Sequence, residues 1–293
     1  MDGVINLNKP PGPSSFSLVA EIRRRSQVRK VGHAGTLDPL AQGVLPICLG
    51  RATKIVPYFL EFPKTYAAVI KLGVTTDTYD SAGQVIDRQD PSKVTREEME
   101  RVMVTLTGNI WQRPPIYSAI KLRGKPLYAF ARAGIAVEPA LRPVVIYSLE
   151  VIKWQLPLVT IRMRCSRGTY VRSLAYELGK VLGCGAHVLE TIRLAYGPFL
   201  LEEAVSWPRL EEALEQGQWA ALVHPIDKVL EHFPALNLTE AQAKVVMAGD
   251  GLPPLHGDKP QVGERRRVYN PKGQFVGLLR FQGGLWQPEK LFL

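Results

Sequence analysis

The chain has 293 residues, of which 46% are hydrophobic and 22% are charged, as is ordinary for a globular protein. Its formal net charge of +10 favours a polyanionic partner. No apolar run approaches membrane-spanning length and no signal-peptide pattern opens the chain, which argues against a membrane protein. The three cysteines form no Cys-X-X-Cys pair, which argues against a zinc site and a disulfide framework. We therefore expect a reduced, cytoplasmic protein.

The first elements flank a glycine-rich loop. Residues 3–7 (GVINL) predict a short strand, and residues 16–26 predict a helix that Ser15 caps. Residues 44–49 form an apolar run, and residues 65–72 (TYAAVIKL) predict a further strand.

Helices and strands then follow each other irregularly. Thr95 and Glu98 form a capping box, and apolar residues recur at helical spacing from Met99. Residues 159–166 alternate like a half-exposed strand, and residues 170–182 predict a helix. The predicted buried stripe of that helix is Leu174, Leu178, Val181 and Leu182. This irregular order favours an α+β fold over a doubly wound parallel sheet.

The pattern changes in the last part of the chain. From about residue 235, one helix is followed by three predicted strands, at residues 266–269, 275–281 and 285–293. We therefore predict two domains, residues 1–234 and a small β-rich domain of residues 235–293.

The most informative stretch is residues 31–46 (VGHAGTLDPLAQGVLP), in which three glycines and two prolines surround Asp38. Glycine permits unusual backbone angles, and the residue before a proline is pushed towards extended conformations. The pattern predicts a stiff loop that presents one carboxylate to a ligand, although an Asp-Pro turn is the other interpretation. Residues 1–60 carry eight Lys and Arg against three acids, so half of the net charge surrounds this loop. This is where a phosphate backbone should lie if the loop is an active site, although a solvated basic face is the other interpretation.

The segment GHAGTLDPLAQGVLPICLGRATK, residues 32–54, resembles the signature of the TruB family of pseudouridine synthases, which isomerise a uridine in the T-loop of transfer RNA. Further blocks resemble that family in the expected order: residues 8–15 (NKPPGPSS), 64–66 (KTY), 117–121 (YSAIK), 127–132 (LYAFAR), 165–172 (CSRGTYVR), 183–187 (GCGAH) and 193–194 (RL). The resemblance spans roughly residues 3–200. It implies a pseudouridine-synthase fold, with a mixed, largely antiparallel sheet and flanking helices, followed by a PUA-like RNA-binding domain at residues 235–293.

The resemblance also implies roles for seven residues. Asp38 would be the nucleophile that holds the intermediate while the detached uracil turns and rejoins the ribose through C5. Arg172 would be the cation beside Asp38, Tyr66 would stack on the flipped base, and Tyr170 would lie near C5. His33 would occupy the space that the nucleotide leaves, and Thr191 would line the base pocket, where the family more often has an aliphatic residue. Lys9 would either contact a phosphate or brace the N-terminal turn.

The residues agree with an isomerase. Hydrolytic glycosidases usually need two carboxylates, and no second one accompanies Asp38 in its loop. No metal cluster, phosphate-cradling glycine loop or dinucleotide fingerprint calls for a cofactor. We therefore expect a cytoplasmic, cofactor-free, monomeric enzyme that converts the uridine at position 55 of tRNA, contacts the T-arm and has no membrane partner.

Two alternatives stay open at this point. One is a related enzyme that acts on ribosomal RNA under the guidance of a small RNA. The other is a non-catalytic RNA-binding or RNA-folding protein, which would need no nucleophile. The sequence also leaves open whether Asp38 attacks C6 of the base or C1′ of the ribose, or acts in a glycal route.

Overall fold

A computed structural model describes all but four residues of the chain. The described stretches are residues 1–118, 120–122, 124–255 and 257–292. Ala119 of the 117–121 block and Leu293, the end of the last predicted strand, therefore lie outside the described residues.

The described residues form strands and helices in an irregular order. The strands are β1 (Gly3–Lys9), β2 (Val31–His33), β3 (Gln42–Leu49), β4 (Lys64–Leu72), β5 (Val74–Thr76), β6 (Val85–Arg88), β7 (Gly108–Gln112), β8 (Lys121–Leu122), β9 (Lys125–Pro126), β10 (Arg142–Gln155), β11 (Leu158–Cys165), β12 (Ala186–Tyr196), β13 (Phe199–Leu200), β14 (Val205–Ser206), β15 (Ala235–Asn237), β16 (Arg265–Tyr269), β17 (Phe275–Gln282) and β18 (Leu285–Leu291). The α-helices are α1 (Ser15–Ser26), α2 (Val56–Phe59), α3 (Arg96–Thr105), α4 (Leu127–Arg132), α5 (Val171–Val181), α6 (Trp207–Glu215) and α7 (Glu240–Ala248).

One large mixed sheet dominates the fold. Its strand order is β14-β1-β3-β12-β4-β11-β10-β7, with β2 also paired to β3 and β13 to β12. The β1–β14 and β3–β12 pairs are parallel, and the other pairs between its described strands are antiparallel. This largely antiparallel sheet with helices confirms the predicted α+β fold. The β3–β12 pair joins Gly43 to Arg193, which brings the end of the Asp38 loop beside the second half of the chain.

Helices α1, α3, α5 and α6 share an apolar core with one face of this sheet. Ile22, Met99, Leu174 and Leu210 supply buried side chains from these four helices. Burying a side chain of this kind stabilises the fold by about 1.5–3 kcal/mol. A second core, around Phe59 and neighbouring aromatic rings, packs near β1 and β3. Helix α5 is thereby fixed beside β12 and β4, and its first turn reaches the Asp38 loop.

The N-terminal helix is confirmed, but the prediction of its cap was wrong by one residue. Ser14 is the N-cap, and its Oγ accepts a hydrogen bond of 3.0 Å from the Ser17 backbone N–H. Ser15 instead exchanges two hydrogen bonds of 3.0 Å with the backbone of Leu37. Both serines fit the local capping pattern, and the tertiary contact with the Asp38 loop decides between them.

Two further helices agree with the sequence except at one end. Thr95 and Glu98 form the predicted capping box of α3. In α5, Leu174 and Leu178 are buried as predicted and Leu182 is partly buried, but Val181, the last residue of the helix, is 57% exposed.

The last part of the chain forms a separate four-stranded sheet in the order β15-β16-β17-β18. Its core includes the fully buried Trp286 and Val246 of α7. Lys54 donates a hydrogen bond of 3.1 Å to the Leu291 carbonyl and so ties this sheet to the rest of the chain. The division into domains 1–234 and 235–293 stays a prediction, although the second sheet begins at Ala235. No helix among the described residues is long and apolar enough to cross a membrane.

Candidate active site

Two glycines with positive φ bound the loop that carries Asp38. Gly35 has φ +96° and Gly43 has φ +105°, a region that favours glycine. A Cβ on Gly43 would lie 2.3 Å from the Arg193 carbonyl oxygen, and one on Gly35 would lie 3.1 Å from the Tyr196 ring. The positive φ therefore favours glycine at both ends, and at Gly43 the nearby backbone also leaves no room for a Cβ.

A tight turn lies between these glycines. The Ala41 N–H donates to the Asp38 carbonyl oxygen at 3.1 Å, and Pro39 occupies the second position of the turn. Proline pre-sets its φ for that position, which limits the movement of the residue before it. The Asp-Pro turn and the presented carboxylate are thus two properties of one loop.

Lys9 braces this turn with a buried ammonium. Its Nζ donates to the carbonyl oxygens of Pro10 (2.9 Å), Pro39 (3.0 Å) and Ala41 (2.7 Å). Burial lowers the pKa of Lys9 to about 8, and the nearby Asp38 charge opposes this shift. All three donors of the ammonium are used within the protein, so the geometry gives Lys9 the bracing position rather than an open one.

Arg193 holds the two ends of the same loop. The side chain is fully buried, Nε donates to the Val44 carbonyl oxygen at 2.6 Å, and Nη2 donates to the Gly35 carbonyl oxygen at 3.0 Å. Together with Ser15, which binds the backbone of Leu37, Arg193 and Lys9 form a set that we call the loop clamp. The loop clamp fixes the backbone on both sides of Asp38.

Asp38 forms an ion pair with Arg172 at the start of α5. Arg172 Nε lies 2.8 Å from Asp38 Oδ2, but its N–H is not aligned with that oxygen, so the contact is an ion pair rather than a hydrogen bond. The Arg172 side chain is 7% exposed, whereas that of Asp38 is 44% exposed. The buried guanidinium therefore faces a carboxylate that a ligand can still reach.

A second carboxylate, Asp80, reaches the same guanidinium from a distant part of the chain. Its Oδ2 lies 3.5 Å from Arg172 Nη1, while its Oδ1 accepts hydrogen bonds from Thr78 Oγ1 (2.6 Å) and the Ala82 N–H (3.1 Å). Arg172 also donates to the carbonyl oxygens of Thr78 (3.3 Å) and Tyr117 (3.0 Å). These contacts fix the orientation of Arg172 towards Asp38.

Sequence reasoning missed Asp80. The available signal was its position in TDTYDSAG, where an Asp-Ser-Ala-Gly turn follows a strand. The absence of a second carboxylate from the Asp38 loop itself is correct, but the fold supplies one nearby.

Asp38, Tyr66, Tyr170, Arg172 and Thr191 all line one cavity of about 400 Å³. This volume lies within the range of small-ligand pockets. The structure therefore brings together five of the seven residues that the sequence singled out.

The two tyrosines of the cavity are held differently. Tyr66 is a buried residue of β4, and burial raises its pKa. Tyr170 precedes α5, and burial raises its pKa as well. Gln112 fixes the backbone of Tyr170, because its Oε1 accepts from the Tyr170 N–H at 2.7 Å and its Nε2 donates to the Tyr170 carbonyl oxygen at 3.1 Å. Both phenols are therefore neutral at pH 7.

His33 is not among the residues that line the cavity. It ends β2, pairs with Ile47 of β3 and is half-buried. Burial and the Arg193 guanidinium lower its pKa, so its ring is neutral at pH 7. His33 therefore lies on the strand that precedes the Asp38 loop, outside the lining of the cavity.

Metal ligands do not gather in the described part of the chain: no group of three or more His, Cys, Asp or Glu side chains is arranged to hold an ion there. The charged groups of the cavity are instead Asp38, Lys64, Arg167 and Arg172. A site with this charge balance is suited to an anionic ligand.

Two family models match the chain in sequence. The model described as "TruB family pseudouridylate synthase (N terminal domain)" matches residues 23–171, and the one described as "tRNA pseudouridylate synthase B C-terminal domain" matches residues 172–231. The tRNA pseudouridine synthase B of Dehalococcoides mccartyi (strain CBDB1) is 41% identical, over 100% of this chain and 97% of the relative. The protein of the same name from Burkholderia lata is 43% identical, over 99% of this chain and 90% of the relative.

Solved structures with a similar fold include chains of multi-component complexes. A chain of a Cbf5-Nop10-Gar1 complex superposes with a TM-score of 0.73 at 28% identity, covering 99% of this chain and 85% of that one. A chain of an H/ACA RNP bound to a substrate RNA containing 2′-deoxyuridine superposes with a TM-score of 0.74 at 27% identity, with the same coverage.

Proposed function

The chain belongs to the TruB family of pseudouridylate synthases, and from this premise we propose that it converts the uridine at position 55, in the T-loop of tRNA, to pseudouridine with Asp38 as the nucleophile. The enzyme class, an isomerase that acts on a uridine of tRNA, follows from the family and from the full-length similarity to curated tRNA pseudouridine synthases. The position of the uridine and the roles of individual residues are the new part of the proposal.

One observation carries the assignment of Asp38: its carboxylate is partly open to a cavity and is paired with a buried guanidinium. A carboxylate must be ionised to act as a nucleophile, and a cation within hydrogen-bonding distance stabilises the ionised form. Arg172 supplies that cation at 2.8 Å. The loop clamp holds the carboxylate in place, so little reorganisation is needed when the substrate binds.

The reaction is balanced without any added group. The N1–C1′ bond breaks, the uracil turns within the cavity, and a C5–C1′ bond forms. C5 loses a proton and N1 gains one, while the Asp38 carboxylate forms one bond to the nucleoside and is released again as a carboxylate. Because nothing is oxidised or reduced and no group is transferred to or from another molecule, the balance of the reaction needs no redox cofactor and no co-substrate.

The remaining residues have supporting roles in this proposal. Tyr66 stacks on the flipped base and recovers about 1–3 kcal/mol of the cost of unstacking it. Tyr170 stays neutral and acts near C5 as a hydrogen-bond relay rather than as a phenolate. Thr191 lines the base pocket, His33 occupies the space from which the nucleotide is flipped, and Lys9 holds the loop instead of contacting a phosphate.

Residues 235–293 are proposed to form a PUA-like domain that adds RNA contacts, with the positive charge near residues 1–60 facing the T-arm. The proposed enzyme is a cytoplasmic monomer. These parts of the proposal are independent of the chemistry at Asp38.

The test compares wild type with Asp38→Asn on an unmodified tRNA transcript and measures pseudouridine formation and tRNA binding in parallel. We expect Asp38→Asn to bind tRNA but to form no pseudouridine. Asp87→Asn is the matched control, because it makes the same change at an exposed position of β6. A transcript with cytidine at position 55 should bind but yield no product.

Each result can contradict a different part of the proposal. Turnover by Asp38→Asn would refute the nucleophile assignment. Product from the cytidine-55 transcript would refute the position. A wild-type protein that binds tRNA but never forms pseudouridine would favour an RNA-binding or RNA-folding protein.

A further inference from the structure

The cavity contains two cations that no acidic side chain balances among the described residues. Asp38 is already paired with Arg172, whereas Lys64 and Arg167 line the same cavity without an ion pair. Cavities lined by one sign of charge concentrate ligands of the opposite sign. The two unpaired cations therefore point to an anionic group of the ligand.

Lys64 is the more informative of the two because it is almost completely buried. The residue is 8% exposed, and its Nζ lies 4.3 Å from the centroid of the Tyr196 ring. The Arg193 guanidinium lies 5.0 Å from the centroid of that ring too. Contact with an aromatic face stabilises a cation less than burial destabilises it. No described protein atom accepts a hydrogen bond from the Lys64 ammonium, which has three donors to offer.

The position of Lys64 on β4 relates it to the proposed base-stacking residue. Lys64 and Tyr66 are two residues apart on one strand and are both buried in its alternating pattern, so they share a face. Their Cα atoms are separated by about 7 Å at the usual rise of a strand. A nucleotide stacked on Tyr66 would thus place its sugar–phosphate backbone within reach of Lys64.

We infer that Lys64 is a substrate-binding residue whose ammonium takes an oxygen of an RNA phosphate next to the isomerised uridine. This inference rests on the proposed function for the identity of the RNA. A phosphate is favoured over a neutral uracil carbonyl because Arg167, which is exposed, adds a second unpaired cation to the same cavity. A phosphodiester provides both a charge and several acceptor oxygens for such a pair.

The experiment measures equilibrium binding of a T-arm hairpin to wild type, Lys64→Met and Lys64→Arg. Three hairpins are compared: one with ordinary phosphates, and two with a single uncharged methylphosphonate on the 5′ or the 3′ side of the uridine. Lys71→Met is the matched control, since it removes one positive charge from the other end of β4. Urea unfolding of each variant verifies that it is folded.

We expect Lys64→Met to weaken binding of the ordinary hairpin about tenfold and to lower the slope of log K against log salt by about 0.7, as for one lost phosphate contact to a single strand. The penalty should vanish on at least one methylphosphonate hairpin. Lys64→Arg should keep most of the affinity, and Lys71→Met should bind like wild type.

The inference is overturned if Lys64→Met binds the ordinary hairpin like wild type, or if its penalty is the same on all three hairpins. Binding is measured without turnover. A wild-type enzyme that forms no pseudouridine would therefore refute the proposed function, whereas the binding comparison would still test the role of Lys64.

Discussion

Replacing Lys64 by Met should stabilise the folded protein at neutral pH, because it removes a buried charge. Burial lowers the pKa of the ammonium from 10.5 to about 8, the guanidiniums of Arg193 and Arg167 act in the same direction, and the Cys165 thiol acts against them. The difference between these two pKa values corresponds to about 3 kcal/mol. Loss of the contact with the Tyr196 ring offsets about 1 kcal/mol of this. We therefore expect Lys64→Met to be more stable than wild type by about 2 kcal/mol at pH 7.

This difference should disappear as the pH rises. The unfolded chain keeps the Lys64 proton up to pH 10.5, whereas the folded chain releases it near pH 8. The unfolded state therefore binds more protons between these values, and wild type gains stability with increasing pH in this window. Lys64→Met lacks the group and gains nothing from it. By pH 10 the advantage of the variant should fall to zero or reverse.

Urea unfolding of wild type, Lys64→Met and Lys71→Met at pH 7, 8, 9 and 10 tests this reasoning. Titrating groups other than Lys64 and Lys71 are common to the three proteins, so their contributions cancel in the differences between them. Parallel stability curves for wild type and Lys64→Met, or a less stable Lys64→Met at pH 7, would refute the assignment of a destabilising buried charge. A stability gain combined with weaker RNA binding would show that the charge is kept for binding.

Three other changes probe the Asp38 loop and its ion pairs. Gly43→Ala should lower the free energy of unfolding in urea by at least about 2 kcal/mol more than Gly108→Ala does. Both glycines have positive φ, but only a Cβ at position 43 would lie against backbone atoms. Equal losses would contradict the packing argument. Arg172→Lys keeps the charge but not the four contacts of the guanidinium. The rate in a single-turnover assay should therefore fall at least about 100-fold, which corresponds to an activation free energy higher by about 2.7 kcal/mol. A wild-type rate would contradict this. Asp80→Asn should lower the rate about tenfold, an activation free energy higher by about 1.4 kcal/mol, because Arg172 would be less well oriented. An unchanged rate would show that Asp80 is only a turn residue.

Local features of the fold could be predicted from the sequence because neighbouring residues determine them. The capping box at Thr95 and Glu98, and the alternation of β11, depend on contacts within a few residues. The cap of α1 could not be chosen in this way, since Ser14 and Ser15 satisfy the same local pattern. Only the contact of Ser15 with Leu37, in another segment, distinguishes them.

In the candidate site, too, features set by neighbouring residues could be predicted and contacts between distant segments could not. The stiff loop around Asp38 could be predicted from its glycines and prolines, and the structure contains such a loop. The approach of Asp80 to Arg172 depends on how two distant segments fold together, which no spacing in the sequence encodes. The shared ring of Tyr196 between Lys64 and Arg193 depends likewise on the pairing of β4 with β12.

The loop clamp also has a consequence for the order of events during synthesis. Asp38 and its turn leave the ribosome early, but Arg193, which binds the Gly35 carbonyl oxygen, lies 158 residues further along the chain. Strand β12, which carries Arg193, is inserted between β3 and β4 in the finished sheet. A nascent chain that has not yet released β12 can hold the Asp38 loop through Lys9 and Ser15 alone, beside an incomplete sheet. The loop clamp can therefore be completed only when the central strand β12 docks between β3 and β4.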